Sequence, residues 1–340
     1  MNTRSFRLAI ASILVAASLG AIPGVALAGT AGFGDLFVSL APITGRVGLY
    51  SGATGAPIDV NHATWGGPVP PPFDSPRGIA NGPAGTLLAA SFSTNSVYRF
   101  DALTGTFQNL IVASGGGGLN GPHGLIVRGN DLFVSSFNSN SVKRYDATTG
   151  AYLGDFVTPG LGGLTTPTGL TFGPDGHLYV ASQTNNAVYK YDGATGALIG
   201  AGPFVTAGSG GLSRPVGVSF SPSGDLFVSS SGTNQILRYT GLTGAFNSIF
   251  VNNGGPIGLL TPLGLQWGPD NNLYVVSNGS FSVKRFTSAG APIGGPSGDF
   301  TPPFTVLSGQ YLTFSVVPEP GTMVLLALGG VAILRTRRRR

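Results

Sequence analysis

The chain contains no cysteine, a single glutamate and only three histidines, and just 9% of its 340 residues are charged. Without cysteine no disulfide framework holds the fold together, and thiol chemistry is excluded, so stability must come from packing or bound ions. Scarce Glu and Lys also withdraw common helix formers. Gly (56) and Pro (25) approach a quarter of the chain, and Val, Phe, Tyr, Thr and Ser are plentiful, which favours short strands joined by tight turns. The length suits one large β-domain or two smaller ones, and 42% hydrophobic content is ample for a core.

A net charge of +5 suggests affinity for nucleic acid until the charges are placed. Arg4 and Arg7 sit near one end, and Arg335, Arg337, Arg338, Arg339 and Arg340 at the other. The remaining 11 basic residues face 12 aspartates, so the body is close to neutral and has no basic field to hold phosphate. No nucleic-acid partner is expected.

The N-terminal 28 residues read as a secretory signal peptide. MNTRSFR is a cationic n-region, LAIASILVAASLGAI an apolar helical h-region, and Ala26-Leu27-Ala28 the small-x-small pattern of a cleavage site.

Residues 29–316 repeat. The glycine of a recurring Pro-x-Gly falls at Gly78, Gly124, Gly169, Gly217 and Gly264, with spacings of 46, 45, 48 and 47 residues, the length of a propeller blade. Each unit reads as four strands. GLTF is followed by a Gly-Pro-Asp-Gly-type turn, then HLYVAS, an Asn-bearing turn, AVYKYD, and an Asp-x-x-Thr-Gly turn into the last strand. A four-stranded sheet cannot cover both of its faces alone, so the units are expected to stack radially. Phe100, Tyr145, Tyr191, Tyr239 and Phe286 are then placed to fill the gaps between blades. At the ends the repeat is incomplete. GDLFVS (34–39) and RVGLYSGATGAPIDV (46–60) match the second to fourth strands, and the segment 309–316 matches a first strand. Six blades are expected, all-β, with the C-terminal strand closing the first.

The repeat, with its Pro-x-Gly-hydrophobic, Gly-Pro-Asp-Gly and Leu-Tyr-Val elements, resembles the NHL and SMP-30/gluconolactonase-like six-bladed propellers. In NHL repeats an Asp usually follows the second strand, and here Ser91, Ser136, Ser182, Ser230 and Ser277 take its place. Residues 317–340 combine Pro318-Glu319-Pro320, an apolar run from Met323 to Leu334 expected to be a short helix, and the arginine cluster including Arg337, Arg338, Arg339 and Arg340. This tail resembles the PEP-CTERM sorting signal. The resemblance implies an exosortase-type processing enzyme as partner and export by a Gram-negative-type bacterium. It also implies a temporary hold at the inner membrane, then delivery to the cell surface or the extracellular space. The run is short for a permanent span, and the arginines would stay on the cytoplasmic side.

Lactonases of the resembling group hold a divalent metal with a Glu, Asn and Asp set, because a hard cation needs carboxylate oxygen. The propeller region has no glutamate. Most of its aspartates fall at repeat turns, and only Asp59, Asp74, Asp155 and Asp299 escape one. A calcium or catalytic metal site is therefore unsupported, and no cofactor is expected. His62, His123 and His177 are far apart without ligand spacing, and His177 reads as a surface residue beside a hairpin turn. Gly116 to Gly121 satisfies G-x-G-x-x-G but precedes a strand, which makes it a connection loop.

One position remains of interest. The x of Pro-x-Gly is Arg77, His123, Thr168, Val216 and Leu263 in successive units, and in propellers of this type it opens the inner strand at the mouth of the channel. Arg77, His123 and Thr168 are the candidate ligand residues, for an anionic or sugar-like ligand. A solvated rim is the alternative. Two functions stay open: an exported non-catalytic module that binds extracellular polysaccharide or a surface protein, and a channel enzyme of lactonase or lyase type.

Overall fold

The computed structural model describes residues 34–41, 45–64, 72–252, 255–303 and 305–316. The signal helix expected over 1–28 and the hydrophobic helix expected within 317–340 lie outside the described residues. Six antiparallel sheets form the blades. In blade 1 the inner strand is Gly309–Phe314 and the others are Leu36–Leu40, Arg46–Tyr50 and Pro57–Thr64. The C-terminal strand pairs antiparallel with Leu36–Leu40, with Leu36 opposite Phe314 and Leu40 opposite Gly309, so the ring closes as the repeat phase predicts. The inner strands of blades 2 to 6 begin at Pro76, Pro122, Pro167, Pro215 and Pro262, and each lies against the next around the ring.

Two blades depart from the expected four strands. Blades 4 and 6 have three, and isolated bridges (Val188 to Val205 and Tyr191 to Leu198, Lys284 to Asp299 and Phe286 to Pro292) stand where a fourth would be. The cause is local. Gly200, Gly202 and Pro203 in one, and Pro292, Gly294, Gly295 and Pro296 in the other, remove ladder donors and stiffness at that edge.

The core is divided among the seams between blades. Six apolar clusters each draw on two neighbours; one joins Leu88, Ala90 and Val97 of blade 2 to Leu132, Val134 and Tyr145 of blade 3. Phe100, Tyr145, Tyr191, Tyr239 and Phe286 are at most 1% exposed, as their repeat position requires. The hydroxyls of Tyr145, Tyr191 and Tyr239 also donate to the carbonyls of Gly116, Leu161 and Ser209 in the glycine-rich connections, at 2.8, 3.0 and 2.7 Å. An aromatic of the second strand also meets one at the end of the next inner strand. The pairs Phe133–Phe172, Tyr179–Phe220, Phe227–Trp267 and Tyr274–Phe314 have centroids 4.8–5.2 Å apart, in edge-on geometry.

The serines that replace the NHL aspartate have a backbone role. Ser91, Ser136, Ser182, Ser230 and Ser277 are fully buried, and their Oγ accept the amides of Asp74, Asn120, Thr165, Ser213 and Leu260 at 2.9–3.1 Å. The turn asparagines tie blades 2, 3, 4 and 5 each to the next. Asn95, Asn140, Asn186 and Asn234 adopt φ of 52–56°, and their Oδ1 accept the amides of Gly121, Thr166, Arg214 and Thr261 at 2.7–2.8 Å.

Two aspartates that sequence left unassigned, Asp155 and Asp299, are counter-charges for buried lysines. Lys143 Nζ lies 2.7 Å from Asp155, and Lys284 Nζ, on a residue 1% exposed, lies 2.8 Å from Asp299. Burial pushes the Asp299 carboxyl up, but hydrogen bonds from Lys284, Ser282 and Ser297 outweigh it and hold the group below the usual carboxylate range. Asp299→Asn is expected to destabilise the fold by about 3 kcal/mol in urea denaturation at pH 7, because it leaves a buried ammonium without its carboxylate. Because the folded-state value is depressed, the stabilisation is present above the unfolded carboxylate value and is lost as pH falls through the folded one. The wild-type acid loss should therefore be steeper than the variant's. Equal stability at pH 7 would show that the pair contributes nothing.

Candidate functional site

The inner strands surround a channel, and glycine sets its width. A Cβ on Gly78, Gly124, Gly169 or Gly217 would lie 2.3–2.5 Å from a carbonyl oxygen of the next inner strand, so only glycine lets the strands approach this closely. In blade 1 the same register is occupied by Tyr311. Its ring lines the lower part of the channel, a cavity of about 320 Å³, and its hydroxyl reaches His123 Nδ1 of blade 3 at 3.0 Å. Tyr311 thus links the lower cavity to His123, which lines a second cavity of about 350 Å³ at the mouth.

The mouth is built from two rings of repeat positions. The first is the x of Pro-x-Gly, which brings Arg77, His123, Val216 and Leu263 together, with Gln310 as the blade 1 counterpart. The second is the residue immediately after the repeat serine: Phe92, Phe137, Gln183, Ser231 and Asn278. This second ring was not expected. Its signal is a variable residue next to a constant serine at repeat spacing.

Thr168 does not join the mouth. It is fully buried, and its hydroxyl lies 3.1 and 3.2 Å from the carbonyls of Pro215 and Val216 in blade 5. The physical reason is the short side chain, whose hydroxyl stays within reach of the next inner strand. Ser39, Ser135 and Ser229 in blades 1, 3 and 5 donate to the next inner strand at Arg77, Thr168 and Leu263; blades 2, 4 and 6 have Ala90, Ala181 and Val276 there, and in blade 4 the Thr168 hydroxyl makes a comparable link. Nor are the other two candidates a solvated rim. His123 is 6% exposed, stacked on Phe137, and Arg77 is half-buried.

Arg77 sits with its guanidinium carbon 5.2 Å from the centre of the Phe92 ring, and its Nη1 donates to Gln310 Oε1. Among the described residues no ion pair includes Arg77 or Arg214, the second arginine of the mouth, and no carboxylate lines the cavity. Burial, and then the charge of Arg77, hold His123 well below its ordinary value, so the imidazole is neutral at physiological pH. Burial likewise pushes the Tyr311 phenol up, against the pull of Arg77, and keeps it protonated. The mouth therefore presents fixed positive charge, neutral donors and acceptors, and two aromatic rings. His62 is elsewhere, buried against the Ala102 carbonyl at 3.0 Å, and His177 lies partly exposed beside Asp192 at 3.7 Å. Among the described residues no three His or Asp side chains converge as a metal site would require. The glycine-rich stretch at Gly116–Gly118 is a short 3-10 turn between blades, as its place before a strand implies.

Comparison with known proteins agrees with this fold. Residues 316–340 match the model of the PEP-CTERM protein-sorting motif. No curated protein matches the chain in sequence. Among solved structures, a chain of the nidogen/laminin complex shares 15% identity over 84% of this chain and 99% of its own, with a TM-score of 0.64. Virginiamycin B lyase from Staphylococcus aureus shares 18% identity over 78% of this chain and 86% of its own, with a TM-score of 0.54. A putative gluconolactonase shares 16% over 67% and 76%, with a TM-score of 0.50. Identities this low speak for the fold alone. The chain is a six-bladed β-propeller that carries a PEP-CTERM sorting motif, and the motif implies export and processing by an exosortase.

Proposed function

We propose that the exported propeller is a non-catalytic binding module, at the cell surface or in an extracellular polysaccharide matrix, whose channel mouth takes an anionic ligand. The observation that carries this reading is the guanidinium of Arg77, half-buried over Phe92 with no carboxylate partner among the described residues. Holding a charge away from water without a counter-ion is costly, and an anionic ligand supplies that counter-ion. The near-neutral body has no broad basic surface, so the ligand is met at one point and not along a polyanion track.

A channel enzyme of lactonase or lyase type is the alternative, and His123 is what favours it. Its Nε2 makes no hydrogen bond among the described residues, and it stands beside an arginine able to hold a substrate anion.

The test is retention of the full chain, in detergent, on a set of acidic polymers (polygalacturonate, dextran sulfate, polyphosphate) against neutral dextran. Binding to at least one acidic polymer and not to dextran is expected. Arg77→Gln should weaken it at least about tenfold, the scale of a lost charge-assisted hydrogen bond. Equal retention on dextran, or indifference to Arg77→Gln, would refute the mouth as an anion site. Cleaved polymer would replace the binding reading with the enzymatic one.

A further inference from the structure

Part of the mouth comes from the strand that closes the ring. Gln310 accepts from Arg77 and Tyr311 meets His123, so both polar groups of the candidate pair are oriented by Gly309–Phe314. Ser39 of blade 1 fastens the same seam. Its Oγ accepts the Tyr311 amide at 2.9 Å and donates to the Arg77 carbonyl at 2.6 Å. The hydrogen bond to Gln310 is the one side-chain hydrogen bond of Arg77 among the described residues, which leaves Nη2 and a buried Nε without one.

The rest of the lining narrows the class of anion. Phe92 and Phe137 meet edge-on with centroids 5.8 Å apart and offer apolar surface to the C–H face of a sugar ring. Gln183 and Asn278 add amides that pair with hydroxyls in either direction. A volume of about 350 Å³ is at the small end of ligand pockets, enough for one or two sugar rings. A phosphate dianion is usually met by several cations or a cradle of backbone amides. Here one guanidinium is half-buried and the other, Arg214, is exposed at the rim. A single carboxylate fits that balance.

We propose that the mouth is a site for a carboxylate-bearing sugar of the uronic acid class, anchored on Arg77 and positioned by Gln310 and Tyr311, so that its occupancy strengthens ring closure. This rests on the anionic-ligand reading above. The coupling follows from linkage: a ligand that binds only where the closing strand is docked stabilises the docked state.

The experiment uses the full chain in detergent, with glucuronate, digalacturonate, inorganic phosphate and glucose as separate probes. Calorimetry reads affinity, and hydrogen exchange reads the amides of 309–314 against those of 167–172, the inner strand of blade 4. Digalacturonate or glucuronate is expected to bind, phosphate and glucose at least about tenfold more weakly, and the bound sugar should slow exchange in 309–314 more than in 167–172. Tyr311→Phe keeps the ring and removes only the hydroxyl. It should fold, bind more weakly and lose part of that differential protection, while Gln310→Ala should weaken uronate binding about tenfold. Phosphate binding as tightly as the uronates would overturn the sugar class and leave the anionic reading intact. Uronate binding with equal slowing in both strands would overturn the coupling. Failure of every anion here and of every acidic polymer above would overturn the anionic reading itself.

Discussion

A chain ending at residue 305 loses its cooperative unfolding transition. The missing segment is the inner strand of blade 1, and without it Leu36–Leu40 keeps an unpaired edge facing the channel. Leu312 and Phe314 belong to the apolar cluster between blades 6 and 1, at 6% and 8% exposure, and Phe314 is the partner of Tyr274 at 4.9 Å. Deleting two buried side chains of this size costs about 2–5 kcal/mol each, and the backbone ladder is lost with them. Since a domain holds only about 5–15 kcal/mol in total, the remaining ring is not expected to stay closed. Urea denaturation followed by tyrosine and tryptophan fluorescence checks it. A transition with the full chain's midpoint and slope would show that the strand is dispensable.

That closing strand was legible because the repeat is one of phase as well as of composition. Counting one repeat from Gly264 lands on Tyr311, and the strand pairs in that register. The substitution of tyrosine for glycine at that point was visible too, but its consequence was not. Only the ring geometry brings position 311 to His123, 188 residues away in sequence. The candidate site divides in the same way. Arg77 and His123 line the mouth because their side chains continue past the strand start into the cavity. Thr168 shares their register, and Arg77 too has an alanine behind it, Ala90, but the Thr168 side chain is short enough for its hydroxyl to be taken up by the carbonyls of Pro215 and Val216 in blade 5. No rule of position separates these cases, because the difference lies in the reach of the side chain and the acceptors it meets. Phe92 and Phe137 were passed over because a lone aromatic after a strand carries no chemistry until the blades are arranged in a ring. The missing outer strands of blades 4 and 6 follow from Pro and Gly, which sequence did contain.

Glu319→Ala is expected to leave an uncleaved chain held at the membrane. Glu319 is the only glutamate and stands between two prolines, in the segment that matches the sorting motif. Pro318 follows Phe314 by four residues, a reach of at most about 14 Å. The closing strand runs from Gln310 at the mouth to Thr313 at the lower cavity, and the chain leaves on the face opposite the mouth. In the native host, intact mass should show wild-type protein without its terminal arginines and the variant ending at Arg340. A wild-type C-terminus at Arg340 would mean that the tail is an ordinary anchor.

The most direct test of the mouth as the functional site is a crystal structure of the protein purified from its native host, without added ligand. Electron density for an acidic ligand in the mouth, against Arg77 and beside Phe92 and Phe137, is the expected result. Density confined to the lower cavity past Tyr311, or a metal ion held in the channel, would contradict it.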